Sequence, residues 1–169
     1  MSKAFTKEEH AGEALVVPRA PLPAGVPNYV TPSGLCALRA EQRALERARF
    51  GLNADEPSAR VALQSLAQRL SELEARLASA VLVEPSAGPR DRVRFGAWIR
   101  VEHATGETRT YRIVGVDEAD AAAGAIAFTA PLARALLGKS VGESAEMRTP
   151  RGVEELVVRS ISFEEDAEK

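Results

Sequence analysis

Histidine and cysteine are nearly missing from this chain of 169 residues: His10, His103 and Cys36 are the only ones. Three such residues leave almost no material for a zinc site, and a lone cysteine forbids a disulfide within the chain. Cysteine nucleophiles and His-assisted bases are equally short of parts, so the chain is read as not being an enzyme. Aromatic side chains make up only 5% of the sequence. No apolar run approaches the roughly 18 residues that crossing a bilayer requires, which argues against a membrane role. A glycine-rich phosphate loop ending in Lys-Ser/Thr, a GxGxxG, a GxSxG and an HExxH are all absent. The formal charge of −2 disfavours wholesale binding to a phosphate backbone. The first residues mix Lys3 and Lys7 with Glu8, Glu9 and Glu13 and contain no apolar core of signal-peptide length. Cytoplasm is the expected compartment.

What is present falls into three textures. Residues 1–30 carry Pro18, Pro21, Pro23 and Pro27 without any period, which predicts an extended, mobile arm. Residues 31–82 are rich in Leu, Ala, Arg and Glu. Thr31-Pro32-Ser33 reads as a helix start, with a capping hydroxyl followed by proline at the first helical position. Leu35, Leu38 and Leu45 then share a face with Gln42 between them, Phe50-Gly51 breaks the pattern, and Asp55-Glu56-Pro57-Ser58 restarts it. Leu63, Leu66, Leu70, Leu73 and Leu77 follow at the three-four spacing of a coiled-coil seam. Two such runs fit a projecting antiparallel hairpin, and also a pair of bundle helices packed on the rest of the protein. The polar shell of Gln64, Gln68, Arg69, Glu72 and Arg76 favours the hairpin.

From residue 83 the texture is β. Strands are predicted over 92–102, 108–116, 126–128, 141–149 and 153–163. One short helix runs from Pro131 to Gly138, and residues from Glu164 onward form an acidic tail. The fold class expected is α+β, a helical hairpin followed by a small antiparallel sheet with one helix. Within it His103 reads as an exposed turn residue and Cys36 as a small packing residue. Asp55 and Glu56 stand where the two helices are joined. Two carboxylates on a projecting tip can hold Mg²⁺ in a partner's active site, because that ion accepts one or two protein carboxylates beside water or phosphate. The same residues equally suit a helix N-terminus, as caps and as charges matched to its dipole.

Several short motifs occur in series: Phe95-Gly96-Ala97-Trp98, Tyr111-Arg112-Ile113-Val114-Gly115, Ala130 through Lys139, Val141-Gly142-Glu143 and Thr149-Pro150-Arg151-Gly152. Over residues 83–163 they resemble the C-terminal domain of Gre-type bacterial transcription elongation factors, and residues 31–35 and 53–83 resemble that family's helical arms. The resemblance implies an FKBP-like C-terminal domain (83–169) joined to a coiled-coil finger (31–82). It implies docking of that domain at the rim of the secondary channel of bacterial RNA polymerase. Acidic residues at the finger's tip would bring a second Mg²⁺ so that polymerase cleaves backtracked RNA. A Mg²⁺ shared with polymerase is expected only if Asp55 and Glu56 are functional; otherwise the chain is expected to hold no cofactor or metal, and it is expected to act as a monomer.

Three departures from the family pattern stand out. Arg49 and Leu52 occupy the positions where the family's tip carries acids, and the first arm is about two heptads short. Before the short helix, Thr129-Ala130-Pro131 replaces an acidic-Ser-Pro sequence, while Leu132 and Arg134 persist, making residues 129–132 and Arg134 the expected partner contact. The leading expectation is a regulator of bacterial RNA polymerase that docks at the secondary channel without stimulating RNA cleavage. The alternatives are a cleavage factor using Asp55 and Glu56 as Mg²⁺ ligands and an interaction module that has left polymerase. A further alternative is a peptide-binding or prolyl isomerase domain using Phe95, Trp98, Tyr111, Phe128 and Phe163. Sequence-specific nucleic-acid binding is not expected: residues 31–82 set seven Arg against six acids, and 83–169 net −3.

Overall fold

The computed structural model describes residues 19–53, 55–85, 88–150 and 152–163. Strand β1 (Asn28–Val30) leads into helix α1 (Pro32–Phe50), and helix α2 (Pro57–Ser79) returns into strand β2 (Ala80–Leu82). Thr31 Oγ1 accepts from the Gly34 amide at 3.0 Å, and Pro32 stands at the first helical position, where it has no amide hydrogen to leave unsatisfied. Arg47 and Arg49 sit in the last turn of α1, where cations suit the helix dipole, before Gly51 ends it. At 1.5 Å per residue the two helices are about 28 and 35 Å long.

The helices pack on each other along the leucine seam. Leu38, Leu45, Leu70 and Leu73 are buried, with Leu35, Leu66 and Leu77 partly buried against them. Gln42 is half-buried, and Leu63 is half-buried further toward the tip. Strands β1 and β2 pair in parallel, Tyr29 opposite Val81, and close the base of the finger. Val30, 1% exposed, joins the leucine cluster from this pair. From residue 19 onward the stretch read as a mobile arm is therefore tied down: it contributes β1, the Asn28 side chain donates to the Arg76 carbonyl at 2.9 Å, and the Arg76 guanidinium donates to the Ala20 carbonyl. The rest of the arm lies outside the described residues.

The second domain is a five-stranded curled sheet in the order β5-β4-β3-β7-β6. Its strands are β3 (Trp98–His103), β4 (Thr108–Val114), β5 (Ala125–Ala127), β6 (Ser144–Thr149) and β7 (Gly152–Ser162). A short 3-10 turn (Val116–Glu118) follows β4, and helix α3 (Pro131–Leu136) follows β5. All neighbouring pairs are antiparallel except β4–β5, so the sheet is mixed where a wholly antiparallel one was expected. Inward Ile99 and Val101 alternate with exposed Arg100, and they meet Ile113, Leu156, Val158 and the α3 residues Ala133 and Leu136 in a second core. The first strand begins at Trp98 rather than at Arg92. Gly96, at a φ of 82°, turns the chain there, and a Cβ on it would lie 2.6 Å from the Pro85 ring.

Candidate functional site: the finger, its tip and its base

At the tip, residues 51–56 connect the helices, and Asp55 and Glu56 are both exposed. Glu56 occupies the N-cap position of α2, yet its side chain makes no capping hydrogen bond. The capping role read for Glu56 is thus not its geometry, and its side chain is exposed. The Asp55 amide donates to Asn53 Oδ1 at 3.2 Å, a local turn bond. Phe50, the last residue of α1, is 90% exposed. Among the described residues no group of three or more His, Cys, Asp or Glu could hold a metal ion. As a donor set, Asp55 and Glu56 fit Mg²⁺ only as a partial site that a partner would have to complete.

On the sheet domain, the expected contact residues divide. Ala130 and Leu132 pack against the core, Thr129 is half-buried, and Pro131 and Arg134 are exposed. Pro131 begins α3, where its ring costs no hydrogen bond, so what faces outward from this short helix is one ring and one cation.

At the base, two consecutive acids of the 3-10 turn reach into the finger. Glu118 accepts from the Thr31 amide at 2.9 Å, from Thr31 Oγ1, and from the Gly115 amide at 3.3 Å. It lies so close to α1 that a Cβ on Gly34 would stand 2.1 Å from its carboxyl carbon. The carboxylate thereby takes up an amide at the start of α1, where the helix dipole favours negative charge. Asp117 pairs with Arg19 at 3.1 Å and faces Arg76 at 3.5 Å, linking chain segments before and after the hairpin. Burial alone would lower the pKa of Arg19, but its bonds to Glu41 and Asp117 outweigh it and raise that pKa further. Nothing in the local sequence pattern marks Asp117-Glu118 as part of this junction, and Thr31 lies far away in the chain.

Two other readings change. His103 is no exposed turn residue: its Nδ1 lies 2.6 Å from Glu154 Oε1 and its Nε2 3.0 Å from the Tyr111 hydroxyl, with the side chain 13% exposed. Cys36 is exposed rather than packed. The aromatic residues considered for a peptide pocket are dispersed. Phe95 and Phe128 form a triangle with Tyr29, Tyr111 meets His103, Trp98 carries Arg112 and Phe163 carries Arg94. Tyr29 of the finger's base fills the space that two of them would have offered a peptide.

Known proteins place this arrangement. The family model of the transcription elongation factor GreA/GreB C-terminal domain matches residues 88–163. Transcription elongation factor GreA of Psychrobacter arcticus is 35% identical over 153 residues, covering 80% of this chain and 97% of that protein. The chain belongs to the GreA/GreB family. Transcription elongation factor GreA of an Anaeromyxobacter species is 38% identical over 115 residues, 68% of this chain and 69% of that one. A solved GreA/GreB structure from Nitrosomonas europaea is 21% identical and covers 80% of this chain and 98% of its own, with a TM-score of 0.41. In the Psychrobacter match the 153 aligned positions exceed the 80% of this 169-residue chain that they cover, so the relative carries residues with no counterpart here.

Membership overturns one expectation. The scarcity of His and Cys led to the reading that the chain is not an enzyme, yet relatives at 35–38% identity are named transcription elongation factor GreA. Stimulation of RNA cleavage, a hydrolytic activity, belongs to that family. Carboxylates and a metal can support hydrolysis with no histidine or cysteine, so the scarcity of those residues does not exclude it.

Proposed function

We propose that this bacterial transcription elongation factor docks at the rim of the RNA polymerase secondary channel through the face around α3 and places its finger in the channel. It works as a monomer in the cytoplasm and modulates transcription chiefly by occupying the channel. The observation that carries this reading is the build of the finger: a braced base, a leucine seam, and a tip where Arg49 and Leu52 stand in place of the family's acids. A charged contact at the rim, such as exposed Arg134, sets on-rate and salt dependence more than affinity.

A second reading has an observation of its own. Asp55 and Glu56 are exposed and the Glu56 carboxylate is free of capping, which leaves both available as ligands to a metal shared with polymerase. Stalled elongation complexes separate the two. Under the first reading, adding the chain changes elongation while Asp55→Ala and Glu56→Ala leave RNA cleavage unchanged. Under the second, either substitution lowers cleavage with binding intact. A chain that fails to associate with core polymerase contradicts both.

A further inference from the structure

Between the base of the finger and the sheet lies a cleft of about 400 Å³, within the size range of small-molecule sites and at the kind of junction where such sites occur. Its wall is largely apolar, with Leu38 from α1 on one side and Trp98, Val114 and Ala125 from the sheet on the other. Five charged residues also line it, and four of them are committed elsewhere. Arg19 holds Glu41 and Asp117, and Glu118 holds Thr31.

Arg112 is the fifth. Its Nε is buried and makes no hydrogen bond, and its guanidinium rests 5.1 Å from the centroid of the Trp98 ring. Among the described residues no carboxylate is recorded against it. A buried donor without an acceptor is costly, and a guanidinium presents paired N–H groups suited to a carboxylate or phosphate. An aromatic wall, apolar neighbours and one cation paired with no carboxylate together define the ligand, and the Glu118 carboxylate in the same wall is held by the Thr31 and Gly115 donors.

We infer that this cleft binds a small organic anion, a carboxylate or phosphate carried on an apolar or aromatic body. Arg112 meets the anionic head, while Leu38, Val114 and Trp98 receive the body. Such a ligand touches α1 and β4 at once and so bridges the finger and the sheet domain. The inference goes beyond the polymerase reading and does not depend on it.

Trp98 is the only tryptophan in the chain, so its fluorescence reports on the cleft directly. The full chain is titrated with benzoate, phenyl phosphate, inorganic phosphate and benzyl alcohol. The expected result is a saturable change with benzoate or phenyl phosphate, with a midpoint at least about tenfold below that of benzyl alcohol. The tighter of the two identifies the head group. Arg112→Gln weakens binding by about tenfold or more and Arg112→Lys retains part of it. Calorimetry repeats the Arg112→Gln measurement, since losing the cation over the ring itself alters Trp98 emission. No saturable change with either aromatic anion at millimolar concentration overturns the inference. So does equal binding by Arg112→Gln, or inorganic phosphate binding as tightly as phenyl phosphate.

Discussion

At its base the finger is held by a parallel strand pair, by the Glu118 carboxylate on the first turn of α1 and by Asp117 between Arg19 and Arg76, with Thr31 and Leu73 fully buried. Toward the tip the buried leucines end with Leu45 and Leu70; beyond them only small Ala59 is buried among the described residues, and Phe50, Asp55, Glu56 and Val61 are exposed. The two ends share one pair of helices and differ in what surrounds them. The base is specified by the sheet domain, which fixes where the finger starts. Among the described residues the tip is specified by its own turn and by buried Ala59, and its exposed side chains can meet something else. A rigid root with an uncommitted end is what a probe into another protein requires.

The contrast breaks most visibly through the core of the base. Leu73→Ala removes a side chain with no exposed surface and costs about 2–5 kcal/mol, measured by urea denaturation. Phe50→Ala at the tip shifts the same measurement by no more than about 0.5 kcal/mol. Next comes the clamp. Glu118→Ala leaves the Thr31 amide without its acceptor and costs about 1–3 kcal/mol. Hydrogen exchange at Thr31 and Gly34 accelerates with it. Gly34→Ala displaces the same carboxylate and reproduces the effect, and the two together cost less than their sum because they act on one contact.

At the tip, Asp55→Ala and Glu56→Ala each change stability by no more than about 0.5 kcal/mol, since neither holds a helix end. A loss near 1 kcal/mol for Glu56→Ala would restore its role as a cap. The smallest effects are in pH dependence, on the sheet. The hydrogen bond from Arg159 holds the exposed Glu102 carboxyl below its ordinary pKa. That pair therefore stabilises above the ordinary carboxylate range, and its contribution is lost as pH falls through the lowered folded value. NMR titration sees Glu102 return toward normal in Arg159→Gln. Tyr111 moves the opposite way: burial raises its pKa, so its contribution is present below the ordinary tyrosine value and is lost as pH rises through the folded one.

What was readable in the sequence had local signatures. Thr31-Pro32-Ser33 announces α1, the three-four leucine spacing announces the seam, and Pro131 with Gly138 brackets α3. Strands β1 and β2 carry three residues each, too few for alternation to show, and their partner is fixed only when the helices fold back. Glu118 and Thr31 are 87 positions apart, and His103 finds Glu154 at a separation of 51, distances over which no spacing rule operates. The tip acids were located from sequence, but their freedom from capping was not. A cap and a ligand ask for the same residue types at the same place.

Competition on core RNA polymerase tests the central claim most directly. A labelled, cleavage-competent Gre factor is bound to polymerase and the unlabelled chain is titrated in. The account predicts one-for-one displacement, with a reduced on-rate and altered salt dependence for Arg134→Glu. Simultaneous binding of both proteins, or no association of this chain with polymerase at all, would contradict it.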